Sequence, residues 1–188
     1  VISNFRSGGS IDNEAWASFF QATYDVTEQL HFTAGLRYTD EEKKFLPDQV
    51  ILVNKFAGSG HPVLDAPFMQ AGEPILPHVE KAESIDEVTP MVNVSYDWNE
   101  DLMVYVSYSE GFKSGGFSQR VFPPIVAGFT APAGTPDIDL IPTFDPEYVE
   151  VYEFGFKYAT PGQRLRLNGA LFTTKYDDLQ VQVFTSVA

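Results

Sequence analysis

The sequence predicts an all-β chain. The expected fold is an antiparallel transmembrane β-barrel, of which these residues form an internal fragment of about six or seven strands with short periplasmic turns and long extracellular loops. Three observations carry that expectation. Apolar and polar residues alternate over strand-length runs on both sides of tight polar turns. Short connections alternate with long ones along the chain. Tyrosines bracket the apolar stretches, as aromatic girdles do at the two faces of a bilayer.

Composition bounds the alternatives. The 188 residues are enough for one domain, and a hydrophobic share of 44% excludes general disorder. Aromatics reach 14%, with Phe 16 and Tyr 9, an excess that barrel girdles would absorb. The net charge of -14 leaves no basic footprint for phosphates, so nucleic acid is excluded as a partner. Cysteine is absent, which removes disulfides and thiolate metal sites. No apolar run is long enough for a membrane helix, so a membrane crossing has to be made by a closed barrel. No signal peptide opens the chain, and the export signal is expected to lie outside it.

The first alternating segment covers residues 15–24, a turn at 25–29 and residues 30–39. The second covers residues 90–96, a turn at 97–101 and residues 102–113. The third covers residues 148–158, a turn at 159–163 and residues 165–176. Each reads as a β-hairpin, with a Tyr just before the turn and a Leu just after it. A seventh strand is a candidate over residues 179–184. The connection at 41–89 is acidic and holds several prolines, and that at 114–146 is rich in Pro and Gly. Loops this long are uncommon inside compact soluble domains.

Alternation assigns faces. Phe20, Leu36, Val94, Val106, Phe154, Phe156 and Leu167 fall on the apolar face and are expected to meet lipid. Arg37, Asn93, Tyr105, Glu153, Lys157 and Asn168 fall on the opposite face and are expected to meet the lumen. No charge stands in mid-strand on the apolar face, where a Lys or Arg costs roughly 2–4 kcal/mol at the bilayer midplane. A soluble β-sandwich explains the alternation equally well, with the same face turned into a dry core. It accounts less well for the girdles and for the asymmetry of loop lengths. Pairing each Tyr with its Leu gives a trial register. That register sets Phe19 opposite Gly35, Phe154 opposite Gly169 and, unfavourably, Lys157 opposite Arg166.

Three stretches resemble the barrel of TonB-dependent receptors. The first is AWASFFQATYDVTEQLHFTAGLRYT. The second is PMVNVSYDWNEDLMVYVSYSEGFKSGGF, whose YxSYSxGFKSGGF ending is the most specific match. The third is FDPEYVEVYEFGFKYA followed by RLRLNGALFTTKYDDLQVQVF. They occur in the family's order and cover a little over half the chain. The resemblance implies a barrel of about 22 strands with a plugged lumen. It implies residence in the bacterial outer membrane, contact with outer-membrane lipid, and energy supplied by the TonB complex through N-terminal parts not present here. It also implies a small-molecule cargo such as a ferric siderophore. On this reading residues 1–188 are part of the barrel domain, without plug, signal peptide or C-terminal strands. Ser186, Val187 and Ala188 depart from the aromatic C-terminus usual in outer-membrane barrels. A passive porin is the nearest alternative.

Chemistry is sparse. GFKSGG at 111–116 lacks the GxxxxGK[ST] order of a phosphate loop, so its glycines read as a strand end bending into a loop. His31, His61 and His78 have no HxxxH or HExxH partner, and no metal or cofactor is expected. No local motif organises a nucleophile with a base, so no enzyme is expected and no catalytic residue is assigned.

Overall fold

The computed structural model describes residues 3–119, 121, 124–162 and 164–181. Its strands, in chain order, are β1 (Ser3–Arg6), β2 (Gly9–Asp25), β3 (Leu30–Pro47), β4 (Val50–Asn54), β5 (Lys81–Asn99), β6 (Leu102–Lys113), β7 (Gly116–Phe117), β8 (Thr143–Phe144), β9 (Glu147–Ala159) and β10 (Arg166–Asp177). Two short 3₁₀ turns, Pro67–Met69 and Asp137–Leu140, interrupt the long connections. By contacts the chain divides into two compact units. One is built from Val1–Glu14, Glu41–Ser84 and Gly115–Phe144, the other from Ala15–Asp40, Ile85–Ser114 and Asp145–Ala188.

The second unit holds most of an open antiparallel sheet of six strands in the order β10-β9-β6-β5-β3-β2. All three expected hairpins are present as β2–β3, β5–β6 and β9–β10. The trial register is corrected in each. Tyr96 stands opposite Val104, not Leu102, and Tyr158 opposite Leu167, not Leu165. In the first hairpin the hydroxyls of Thr23 and Thr33 meet at 2.8 Å and Gly35 lies against Gln21, not Phe19. In the second and third hairpins the Tyr stands opposite a residue two beyond the expected Leu. A shift of two residues keeps every side chain on its own face of the strand. Lys157 consequently faces Asn168, and the like-charge pair with Arg166 does not form. Phe156, not Phe154, covers Gly169, where an added Cβ would lie 2.5 Å from the ring.

Several strands run further than the alternation suggested. β3 continues to Pro47 and β5 starts at Lys81. The run DEEKK in β3, expected to be loop, is strand. Residues two apart on a strand share a face, and Lys43 pairs with Glu41 at 3.2 Å while Lys44 pairs with Glu42 at 2.7 Å. Pro90 lies within β5, and its missing N–H coincides with the end of the ladder to β6 at Met91 and Ser109. Of the candidate seventh strand, residues 179–181 are not strand, and residues 182–184 lie outside the described residues.

The other unit corrects the expectation of open surface loops. Its apolar residues form two buried clusters. Phe45, Leu76, Phe117 and Ile141 make one, and Ile51, Met69 and Ile75 the other, with Val121 packed against both. β1 pairs with β4, and β7 with β8. Side chains tie the segments together. The Arg6 guanidinium reaches Asp48 at 2.6 Å, Lys43 donates to the Gly115 carbonyl at 2.8 Å, and Lys81 donates to the Ile141 carbonyl at 2.9 Å. Gly9 has φ +153°, and a Cβ there would sit 2.6 Å from the Leu46 carbonyl oxygen. The Asp65 carboxylate accepts the N–H groups of Gly58 and Gly60, each at 2.7 Å. Those bonds, Gly60's first, hold its pKa below the ordinary value.

Two predictions follow from this unit. Gly9→Ala forces both strain and a backbone clash. It should destabilise the unit by about 1–3 kcal/mol, read as faster proteolysis within residues 41–84, with the wild-type rate as the contrary result. For Asp65, a depressed folded pKa means stability that is present above the ordinary carboxylate value and lost as pH falls through the lower folded one. Hydrogen exchange at the Gly58 and Gly60 amides, corrected for intrinsic rate, should therefore rise in acid in the wild type and stay level in Asp65→Asn.

Candidate functional site

The register of the sheet builds two faces of opposite character. On one face, the row Val94–Val106–Phe154–Leu171 crosses β5, β6, β9 and β10. Beside it runs Tyr96–Val104–Phe156–Gly169, and beyond that Leu102–Tyr158–Leu167. Aromatics close both margins. Tyr108 and Tyr152 stack with ring centroids 4.8 Å apart at the loop side, where Trp16 and Tyr38 stand 5.1 Å apart on β2 and β3. Tyr24, Tyr96 and Tyr158 mark the turn side, with Trp98 edge-on to Tyr96. This face is bare. Phe20 is 72% exposed and Leu171 78%, whereas Phe45 and Ile141 of the other unit are 1% and 0% exposed. Among the described residues, neither buried cluster includes Val94, Val106 or Phe156.

The opposite face is polar. Its rows are Asn93–Ser107–Glu153–Phe172, Ser95–Tyr105–Gly155–Ala170 and Asp97–Met103–Lys157–Asn168. The centre is a three-residue cluster. The Tyr105 hydroxyl donates to Glu153 Oε1 at 2.6 Å, and Lys157 Nζ stands 5.8 Å over the Tyr105 ring. Gly155 makes this possible, because a Cβ there would meet the Tyr105 ring at 2.5 Å. An aromatic lying over a cross-strand glycine keeps the sheet packed where the glycine has no side chain to offer.

The residues anticipated for this face are thus brought together unequally. Tyr105 bonds Glu153, and Lys157 stands over the Tyr105 ring. Asn168 is Lys157's direct partner, and Asn93 shares Glu153's row across Ser107. Arg37 lies on the same face of β3 but bonds along its own strand, Nε to Thr39 Oγ1 at 3.2 Å. Two features escaped the sequence reading. The Tyr105–Gly155 overlay needs the true register, and His31 bridges Asp25 and Asp97 across three strands. Neither leaves a local motif. His61 serves its own turn, where Nδ1 accepts from the Val63 and Leu64 amides. His78 Nδ1 donates to the Pro47 carbonyl at 2.6 Å.

No curated protein matches the sequence closely enough to count as a relative. The fold is similar to the crystal structure of the ferric yersiniabactin uptake receptor FyuA from Yersinia pestis, with a TM-score of 0.67 and 20% identity. That similarity covers 95% of this chain and 22% of the receptor's, so the chain spans less than a quarter of that protein's length. The family model described as TonB dependent receptor-like, beta-barrel matches residues 2–188. With its meander of six strands and its one bare apolar face, the chain belongs to the TonB-dependent receptor β-barrel family of the bacterial outer membrane.

Proposed function

We propose that this chain forms a segment of the wall of an outer-membrane transporter that takes up a scarce small molecule, such as a ferric siderophore, with energy from the TonB complex. The observation that carries the reading is the two-faced sheet. Four neighbouring strands of the sheet keep an uncharged apolar row on one side and a hydrogen-bonded polar cluster on the other. Apolar side chains left uncovered in water favour burial by roughly 25 cal/mol per Å², and lipid provides that burial. Phe20, Leu36, Val94, Val106, Phe154, Phe156 and Leu167 then contact the acyl chains. Arg37, Asn93, Tyr105, Glu153, Lys157 and Asn168 line the interior, where hydrated or protein partners satisfy them. The similarity to a ferric siderophore uptake receptor supports the cargo class. The reading is transport, not catalysis.

The sidedness is tested by a pair of neighbours. In the complete receptor, Val94→Arg should lower the yield of heat-modifiable barrel in the outer membrane sharply, since it places a cation in lipid at a cost of about 2–4 kcal/mol. Asn93→Arg should leave assembly near the wild-type level. Equal damage from both removes the assignment of faces. The energy source is tested by uptake of labelled ferric siderophores into cells carrying the complete receptor. Accumulation should vanish when TonB is deleted. Accumulation that persists without TonB identifies a passive pore.

A further inference from the structure

A histidine flanked by two carboxylates stands at the turn end of the sheet, on its polar face. His31 of β3 lies between two carboxylates from neighbouring strands. Its Nδ1 is 2.6 Å from Asp25 Oδ1 of β2, and its Nε2 is 3.1 Å from Asp97 Oδ2 of β5. Carboxylates at neutral pH only accept hydrogen bonds, and a neutral imidazole carries a single N–H. Both contacts are hydrogen bonds only when the ring is an imidazolium. With a neutral ring, one nitrogen lone pair would point at a carboxylate oxygen. The two carboxylates sit on opposite edges of the ring, so they grip it and do not converge on a common point.

We propose that protonated His31 staples β2, β3 and β5 together at the turn end of the wall, and that losing its proton releases one arm of the staple. The inference holds whatever cargo the receptor carries. The cluster lies one step beyond Tyr24 and Tyr96 toward the turn, outside the stretch that crosses lipid. The charged groups acting on the ring are Asp25 from β2 and Asp97 from β5. Lys157 of β9 shares Asp97's row, but Met103 stands between them. Arg37, the next charge along the same face of β3, is bonded to Thr39, and Glu41 and Lys43 further along that face pair with each other. Hydrogen bonds to Asp25 first and Asp97 second raise the imidazole pKa above its ordinary value. The sign follows. A raised folded pKa gives stability that is complete below the ordinary imidazole value and lost as pH rises through the higher folded one. The turn keeps a second, proton-independent tie. The Asp97 amide donates to the Gln29 carbonyl at 2.8 Å, and the Tyr96 hydroxyl donates to Gln29 Oε1 at 3.1 Å. Release of the staple therefore loosens the turn end without unzipping it.

The test is hydrogen exchange on the complete receptor in detergent, between about pH 6 and pH 9, corrected for intrinsic rate. The Val26 and Thr27 amides, both bonded to the Leu30 carbonyl, report on the turn. In the wild type their protection should fall about fivefold across that range, the equilibrium counterpart of one lost hydrogen bond. His31→Gln should show no such slope. If that variant does not assemble, Asp97→Asn, which keeps an acceptor but lacks the charge, should show a reduced slope. A wild type without a slope, or variants that keep the wild-type slope, overturns the staple.

Discussion

A β-strand sends successive side chains to opposite faces, and this wall depends on holding that parity across six neighbouring strands. The row from Val94 through Val106 and Phe154 to Leu171 is apolar on four strands only because each hairpin keeps the same phase. One residue of slip of β9 against its neighbours would carry Glu153 and Lys157 into the apolar row. The polar face pins that phase. Tyr105 can reach Glu153 and lie over Gly155 in one register alone, so the cluster that lines one side also fixes what the other side presents.

The two units answer the same hydrophobic drive in opposite ways. Segments 41–84 and 115–144 fold inward, so that Phe45, Leu76 and Ile141 leave water by touching one another. The sheet turns Phe20, Val106 and Leu171 outward and keeps its polar groups on the other side. A soluble protein would not leave such a face uncovered. In the proposed setting, lipid does for the sheet what Leu76 and Ile141 do for Phe45.

This contrast also explains what was legible in the sequence. A hairpin announces itself locally, through a two-residue period and a polar turn, so all three hairpins and the faces of their residues could be read. The register could not, because the number of residues left in a turn depends on backbone geometry that Tyr and Leu do not encode. The folded connections were hidden for a different reason. Their apolar islands, such as Ile51-Leu52-Val53 and Ile75-Leu76, are too short to show a period, and their partners are distant in the chain, as Phe45 is from Ile141. The acidic run 40–44 misled in the same way. Four of its five charges are paired along a strand, and charge density alone does not distinguish a solvated loop from a solvated strand. Of the polar cluster, each residue's face was legible, but the contacts among them were not.

The sheet itself states what the wall still requires. β2 and β10 occupy its two edges, and each presents a row of backbone N–H and C=O groups on its outer side. In water such a row is hydrated at little cost. In a bilayer each unsatisfied group costs several kcal/mol, so a spanning sheet is stable only when its edges meet other strands. The apolar face and the open edges therefore make opposite demands on this segment by itself: the face asks for lipid and the edges forbid it. Both are met together only when further strands continue the ladder beyond β2 and β10 until the sheet closes on itself. A barrel is thus the one form in which this particular face can be used.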